Sequence, residues 1–362
     1  MHITFMIGNG FDLNLGLDTK YSDFVQVYEK LKTDPINKNI EKFRSHIKND
    51  EDLWSNAEEA LGQYTAHLET GQGAAFSECQ SDFCRHLAHY LKQQEQRIDY
   101  TALKEHIKKA FGQFKNFANN FPSEERAKIN ALLPTNQSVD VIFDFLNYNY
   151  TNTLDKCLKI AKDFPGLLGS HVANGRQRNH QIGTLCHVHG TVDAQMVFGV
   201  NDESQIAKPS IFDGEDGDLS KSLLIKKDAN EVYMENTDTN ALRLIQSSSI
   251  IYIYGMALGL TDKLWWVRIC KWLSNNENRH VIIQQHEMPP MDAFPYDHLL
   301  FLRSKKREFM QLGDLPPESW DSVNNRIHIT DYNIFAPIQN IATPLPTTME
   351  DAGFYSETLV TV

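Results

Sequence analysis

Cysteine is scarce in this sequence of 362 residues. The five cysteines are odd in number and widely spaced, and none of them forms a C-x-x-C pair. A disulfide framework or a zinc module needs closely matched cysteines. The sequence therefore predicts a protein of the reducing cytoplasm that binds no metal.

Long apolar runs and an excess of positive charge are also missing. No apolar stretch approaches the ~20 residues that cross a bilayer, and the N-terminus lacks the pattern of a secretion signal, so we expect no membrane segment. The 35 basic and 47 acidic residues give a net charge of −12. Such a chain repels nucleic acid over most of its surface, although a local basic patch remains compatible with binding.

The opening stretch is the most informative one. An apolar run over residues 3–7 ends in Gly8 and Gly10, and Asp12 follows. This predicts a buried strand that stops at a tight turn, where glycine lets the main chain approach a ligand. A helix that starts after the turn would direct free N–H groups to the same place, which suits a phosphate. Because Leu13 occupies the third glycine position of a dinucleotide fingerprint, a turn that serves packing alone is an equal alternative.

Residues 34–135 show no strand alternation and predict a helical insertion. The insertion divides an α/β core of residues 1–33 and 136–335, and a polar, proline-bearing tail is expected over residues 336–362. Within the insertion, Glu58 shares the apolar helix face of its neighbours. Its carboxylate is either solvated at the edge of that face, which we favour, or directed into a site.

Strands alternate with helices in the rest of the chain, which predicts a doubly wound, mainly parallel sheet. The predicted strands after the first are residues 139–146, 184–190, 196–200, 249–255, 280–285 and 327–330. Polar clusters stand at the carboxyl ends of four strands, where ligands bind in such sheets. These clusters are Gly8–Asp12, Asn147–Asn152, His187–Gly190 and Gly255–Asp262. We therefore expect them to converge on one pocket.

The third of these clusters contains two histidines. His187 and His189 are two residues apart, so on a strand both would face the same side. That spacing suits a metal, but no acidic or cysteine partner stands at a persuasive distance. A hydrogen-bonded structural histidine is an alternative for His189 and the favoured interpretation for His187. For Asn149, the alternative is a turn or helix-capping residue.

The motifs GNGFD, NYTNTL, HVHG, FGV and YGMALGLTDKLWW, in that order, resemble those of the phage abortive-infection AbiH family. The resemblance extends from Met1 to about Trp266. That family in turn is similar to the sirtuins and the sirtuin-like NAD hydrolases of antiphage defence. The resemblance implies a sirtuin-like, Rossmann-type core that takes NAD as substrate or ligand. It also implies activation by a phage signal of unknown nature, and it is compatible with a homo-oligomer.

The same resemblance implies roles for particular residues. Asn149 matches the asparagine used beside the nicotinamide ribose, and His189 matches the histidine that acts on the ribose hydroxyls. The predicted nucleotide-binding residues, taken from the resemblance and the strand-end clusters together, are Gly8, Asn9, Gly10, Phe11, Asp12, Gly255 and Asp262. Further candidates for the pocket are Glu58, Tyr150, Thr151 and His187.

The chain departs from the sirtuin pattern at three positions. Asp12 stands where serine is usual, Thr151 where aspartate is usual, and Ala257 where a phosphate-contacting serine is usual. The resemblance nevertheless implies a cytoplasmic defence effector that hydrolyses NAD or a related nucleotide at the N-glycosidic bond. The alternatives are a toxin that binds or cleaves nucleic acid and a non-catalytic nucleotide sensor.

Overall fold

A computed structural model of the chain describes residues 1–31, 37–54, 56–133, 139–233 and 236–344. The strands of these ranges are β1 (His2–Ile7), β2 (Ile142–Asn147), β3 (Ser170–Ala173), β4 (Arg176–Asn179), β5 (Gln181–His187), β6 (Ser248–Tyr254), β7 (His280–Gln284) and β8 (Ile327–Thr330). The helices are α1 (Gly10–Leu15), α2 (Tyr21–Tyr28), α3 (Lys38–Asn49), α4 (Glu51–Trp54), α5 (Ala57–Tyr64), α6 (Gly73–Glu95), α7 (Lys104–Gly112), α8 (Ser123–Leu132), α9 (Thr153–Lys162), α10 (Gly217–Leu224), α11 (Lys226–Val232), α12 (Thr237–Ser247), α13 (Lys263–Ser274), α14 (Pro295–Leu312) and α15 (Trp320–Asn324). Within these ranges no helix is both long and apolar enough to cross a bilayer.

Six strands form one parallel sheet in the order β5-β2-β1-β6-β7-β8. Counted along the chain, this order is third, second, first, fourth, fifth and sixth, which is the strand order of the Rossmann fold. The predicted parallel α/β sheet is therefore confirmed. The order reverses between β1 and β6, so these two strands define the crevice where such sheets bind ligands. Strands β3 and β4 pair with each other in a separate antiparallel hairpin.

Helices cover both faces of the sheet. On β1, Ile3 and Phe5 face a layer that includes α7 and α9, whereas Met6 faces α12, α13 and α14. The ring of Phe5 lies 4.6 Å from that of Phe114 between centroids. Because both faces are buried, the central strands are apolar almost throughout, as expected of a parallel sheet.

The predicted helical insertion does not pack as one unit. Its second half, which includes α7 and α8, covers the sheet. Its first half, α3–α6, packs with α2 and parts of residues 192–225 around a second core. We call this second unit the helical cap. Helical periodicity identifies an apolar face, but it does not say which distant segment that face meets.

Two parts of the fold differ from what the sequence predicts. Residues 196–200 do not form a strand: only Val200 makes an isolated bridge, to Ile225, and the apolar side chains fill the cap core instead. The start of the predicted tail is also packed. Ile338 is fully buried, and the N–H of Asn340 donates to the carbonyl of Asn14 at the end of α1. The rest of the predicted tail, residues 345–362, lies outside the described residues.

The turns after β1 and β6 are in backbone contact. The N–H of Gly10 donates to the carbonyl of Gly255 at 2.8 Å. A Cβ added to Gly255 would lie 2.7 Å from the Cα of Gly10, and Gly255 has a φ of +64°. Only glycine combines this φ with such a close approach at low cost.

We expect Gly10→Ala and Gly255→Ala each to lower the free energy of unfolding by about 1–3 kcal/mol or more, because neither backbone can yield without separating the two turns. Gly259→Ala is the matched control, since the nearest atom to its added Cβ is Thr261 Oγ1 at 3.8 Å. Urea unfolding measures all three. Equal stability of Gly10→Ala and the control would contradict the contact.

Candidate active site

A cavity of about 570 Å³ lies at the carboxyl edge of the sheet, against the turns after β1 and β6 where the strand order reverses. The turns that follow β2 and β5 also contribute to its wall. Residues of α5 and α6 in the cap, the start of α2 and Lys226 of α11 complete it. Its volume falls within the range of small-molecule sites.

The structure brings most of the predicted site residues to this cavity. They are Gly8, Asn9, Asp12, Glu58, Asn149, Tyr150, Thr151, His189, Gly255 and Asp262. Ala257 lines it as well. Their chemical roles remain predictions.

Three predicted residues do not line the cavity. Gly10 packs its backbone against Gly255, and Phe11 is fully buried, with its ring 4.9 Å from that of Phe335. His187 is the last residue of β5 and lies with Nε2 3.0 Å from Asp155 Oδ1. Because the strand ends there, the alternation that would place both histidines on one side stops before His189.

Glu58 is buried, with only 7% of its surface exposed. The favoured interpretation of a solvated residue at the edge of an apolar stripe is therefore wrong. Its Oε1 accepts hydrogen bonds from the hydroxyls of Tyr21 and Tyr150, each at 3.1 Å. Its Oε2 lies 2.7 Å from the ammonium Nζ of Lys226.

Lys226 also faces a second carboxylate. Its Nζ is 3.9 Å from Asp262 Oδ1, which in turn lies 3.3 Å from His189 Nε2. Burial by itself would raise the pKa of Asp262, but Lys226 and His189 hold that pKa below its ordinary value. Burial by itself would lower the pKa of Lys226, but the neighbouring carboxylates of Glu58 and Asp262 outweigh burial and raise that pKa. The buried carboxylate of Asp262 and the buried ammonium of Lys226 thus keep each other charged.

Lys226 and Tyr21 are functional candidates that sequence reasoning missed. Lys226 is followed by the exposed Lys227 at the start of α11, and such a pair resembles an ordinary solvated helix end. Its partner Glu58 lies 168 residues away. Tyr21 belongs to the apolar stripe of α2 and carries no separate signal. Neither local composition nor spacing predicts these contacts.

Asp12 links the segment that follows β1 to the segment that follows β2. Its carboxylate accepts hydrogen bonds from Thr151 Oγ1 at 2.6 Å and from Thr153 Oγ1 at 2.5 Å. Burial raises the pKa of Asp12 to about 6, despite the two hydroxyls, and Glu95 adds to the rise. The structure therefore shows Asp12 bonded to the turn after β2, and Thr151 acting as its donor.

Several buried polar atoms around the cavity have no hydrogen-bond partner among the described residues. They are Asn149 Nδ2, Tyr148 Oη and His189 Nδ1. Buried polar groups in native proteins are nearly always paired with protein or water. Water or a bound molecule would complete the pairing of these atoms.

The sheet order and the cavity define a Rossmann-type α/β protein with a ligand-sized site at its topological switch point. The sequence model of the bacteriophage abortive infection AbiH family matches residues 4–284, and the chain belongs to this family. Searches of curated proteins and of solved structures each found no match.

We expect Lys226→Met to lower the free energy of unfolding by about 3–5 kcal/mol, because it leaves buried carboxylates without their cation. Lys227→Met is the control, since Lys227 is exposed. Adding Glu58→Gln to Lys226→Met should restore part of the loss, because the amide keeps an acceptor for the tyrosines without the charge. Urea unfolding of the parent, the two single variants and the double variant gives the coupling energy between Glu58 and Lys226. A Lys226→Met variant as stable as its control would contradict the ion pairing.

Asp12 provides a pH-dependent test. Because folding raises the pKa of Asp12, the protein is most stable at a pH below the ordinary pKa of an aspartate. Its stability then falls as the pH rises to about 6. Asp12→Asn mimics the protonated form, so its stability relative to the parent should increase between pH 4 and pH 6 and then level off. Asp12→Ala should cost about 1–3 kcal/mol, because it removes the shared acceptor of two buried hydroxyls. Urea unfolding across this pH range, with the exposed Asp193→Asn as control, measures the effect. A stability difference between Asp12→Asn and the parent that does not change with pH would contradict the raised pKa of Asp12.

Proposed function

We propose that this chain is an abortive-infection effector that hydrolyses NAD, or a related nucleotide, at the N-glycosidic bond. Membership of the AbiH family implies the defence role. One observation carries the chemical part. Asn149 and His189, which follow two different strands, line the same cavity as the glycine turn at Gly8.

The composition of the cavity supports a nucleotide ligand. Leu87 and Leu91 of the cap provide an apolar wall, and Tyr148 adds an aromatic ring. Unpaired polar atoms of Asn149 and His189 supply a small number of directional contacts. An apolar pocket with few convergent polar groups is the usual form of a site for a small molecule.

The proposed reaction converts NAD and water to ADP-ribose, nicotinamide and a proton. The bond between C1′ of the ribose and the nicotinamide nitrogen breaks, and its electron pair leaves with nicotinamide. A water oxygen forms the new bond to C1′ and releases its proton to His189 or to solvent. In this proposal Asn149 orients the water through its side-chain carbonyl. A positioned proton acceptor typically contributes about 10²–10⁴ in rate.

Positive charge develops on the ribose as the glycosidic bond breaks. Glu58 and Asp262 both line the cavity, and between them stands a single buried ammonium, that of Lys226. Fixed negative charge near the reacting carbon stabilises such a transition state without reorganisation. The same carboxylates and the net charge of −12 disfavour a nucleic-acid phosphate backbone at this site.

We expect cellular NAD to fall, and free nicotinamide to rise, when cells that express the protein are infected by a phage it restricts. Asn149→Ala and His189→Ala should each reduce this NAD loss by at least about 10²-fold, because each removes a group at the reacting centre. His187→Gln is the matched control, since His187 lies outside the cavity and pairs with Asp155. Mass spectrometry of cell extracts measures both compounds.

Phage restriction with an intact NAD pool would overturn the proposal. Tight binding of NAD or ADP-ribose to the purified chain, without loss of NAD in infected cells, would identify a sensor instead. Strongly salt-dependent binding of RNA or DNA would point to the nucleic-acid alternative. Circular dichroism of each variant shows whether a lost effect reflects a lost fold.

A further inference from the structure

Two histidine–aspartate pairs lie near the carboxyl end of β5. The pair of His187 and Asp155 lies outside the cavity, with Nε2 3.0 Å from the carboxylate. The pair of His189 and Asp262 lies in the cavity wall, with Nε2 3.3 Å from Oδ1. The two pairs have the same chemistry but different surroundings, so each provides a control for the other.

The surroundings of Asp262 restrict what it can do. Lys226 Nζ lies 3.9 Å from the same Oδ1, and Lys226 is itself fixed by Glu58 at 2.7 Å. The buried ammonium therefore favours an ionised Asp262. An ionised carboxylate only accepts hydrogen bonds. A neutral imidazole whose Nε2 faces it must then carry its proton on Nε2.

We propose that Asp262 is a positioning residue that holds His189 as the tautomer with the proton on Nε2. The lone pair of the ring then resides on Nδ1, the atom for which the described residues provide no partner. Nδ1 becomes the acceptor for a ligand hydroxyl, such as one of a ribose. The catalytic consequence depends on the proposed function, whereas the tautomer does not.

Asp262→Asn tests this inference because it retains the shape of the side chain and changes only its hydrogen bonding. An asparagine amide either accepts from Nε2–H or donates to a bare Nε2, so it no longer selects one tautomer. Lys226 keeps its contact with Glu58 in this variant, so the fold should persist. Asp155→Asn makes the same change at His187 and serves as the matched control.

Protein labelled with ¹⁵N-histidine reports the tautomer directly through long-range ¹H–¹⁵N correlation spectra at a pH where the ring is neutral. His189→Gln and His187→Gln assign the two rings. We expect a protonated Nε2 on His189 in the parent, a mixture or reversal of tautomers in Asp262→Asn, and no change at His189 in Asp155→Asn. A proton on Nδ1 in the parent, or an unaltered ring in Asp262→Asn, would overturn the inference.

Turnover is measured separately. If the proposed hydrolysis occurs, Asp262→Asn should lower NAD loss by about 10²–10⁴-fold, whereas Asp155→Asn should leave it unchanged. A tautomer change in Asp262→Asn without any NAD loss in the parent would support the positioning role and reject the function. An unchanged tautomer with NAD loss in the parent would reject the positioning role alone.

Discussion

The buried ammonium of Lys226 is the interaction on which the arrangement of the site depends. It joins Glu58 of the cap to Asp262, which directly precedes α13, and so connects the helical unit to the sheet edge. Burying charges is costly unless each one is paired and hydrogen-bonded. Removing the cation would leave carboxylates of both units without compensation, although Tyr150 would still donate a hydrogen bond to Glu58.

This network also determines the electrostatics of the cavity. Charges in a poorly solvated site act more strongly on one another and on a ligand than they do in water. Glu58 and Asp262 contribute negative charge, and Lys226 offsets only part of it. The inner wall therefore favours a group that is positive or becomes positive. A phosphate would be better placed away from this wall, toward the turn at Gly8 and Asn9.

Asp12 shows how an acidic residue beside a glycine turn is accommodated. Its two oxygens bind the hydroxyls of Thr151 and Thr153, which ties the turn after β1 to the turn after β2. A carboxylate that is satisfied in this way does not need a cation or a ligand. Asp12 and Thr151 are thus one coupled feature, since each residue is the hydrogen-bond partner of the other.

The sequence by itself determined the sheet and the edge at which the site lies. Apolar runs of strand length, alternating with helices, specify parallel strands whose carboxyl ends share one edge, and Asn149 and His189 stand directly after two such strands. Only the tertiary structure decided which side chains at that edge face the cavity. Phe11 enters the core and His187 turns to Asp155, because the side of a turn on which a residue lies depends on its three-dimensional packing. The contact of Glu58 with Lys226 joins segments 168 residues apart, and a pairing of that kind leaves no local pattern in the sequence.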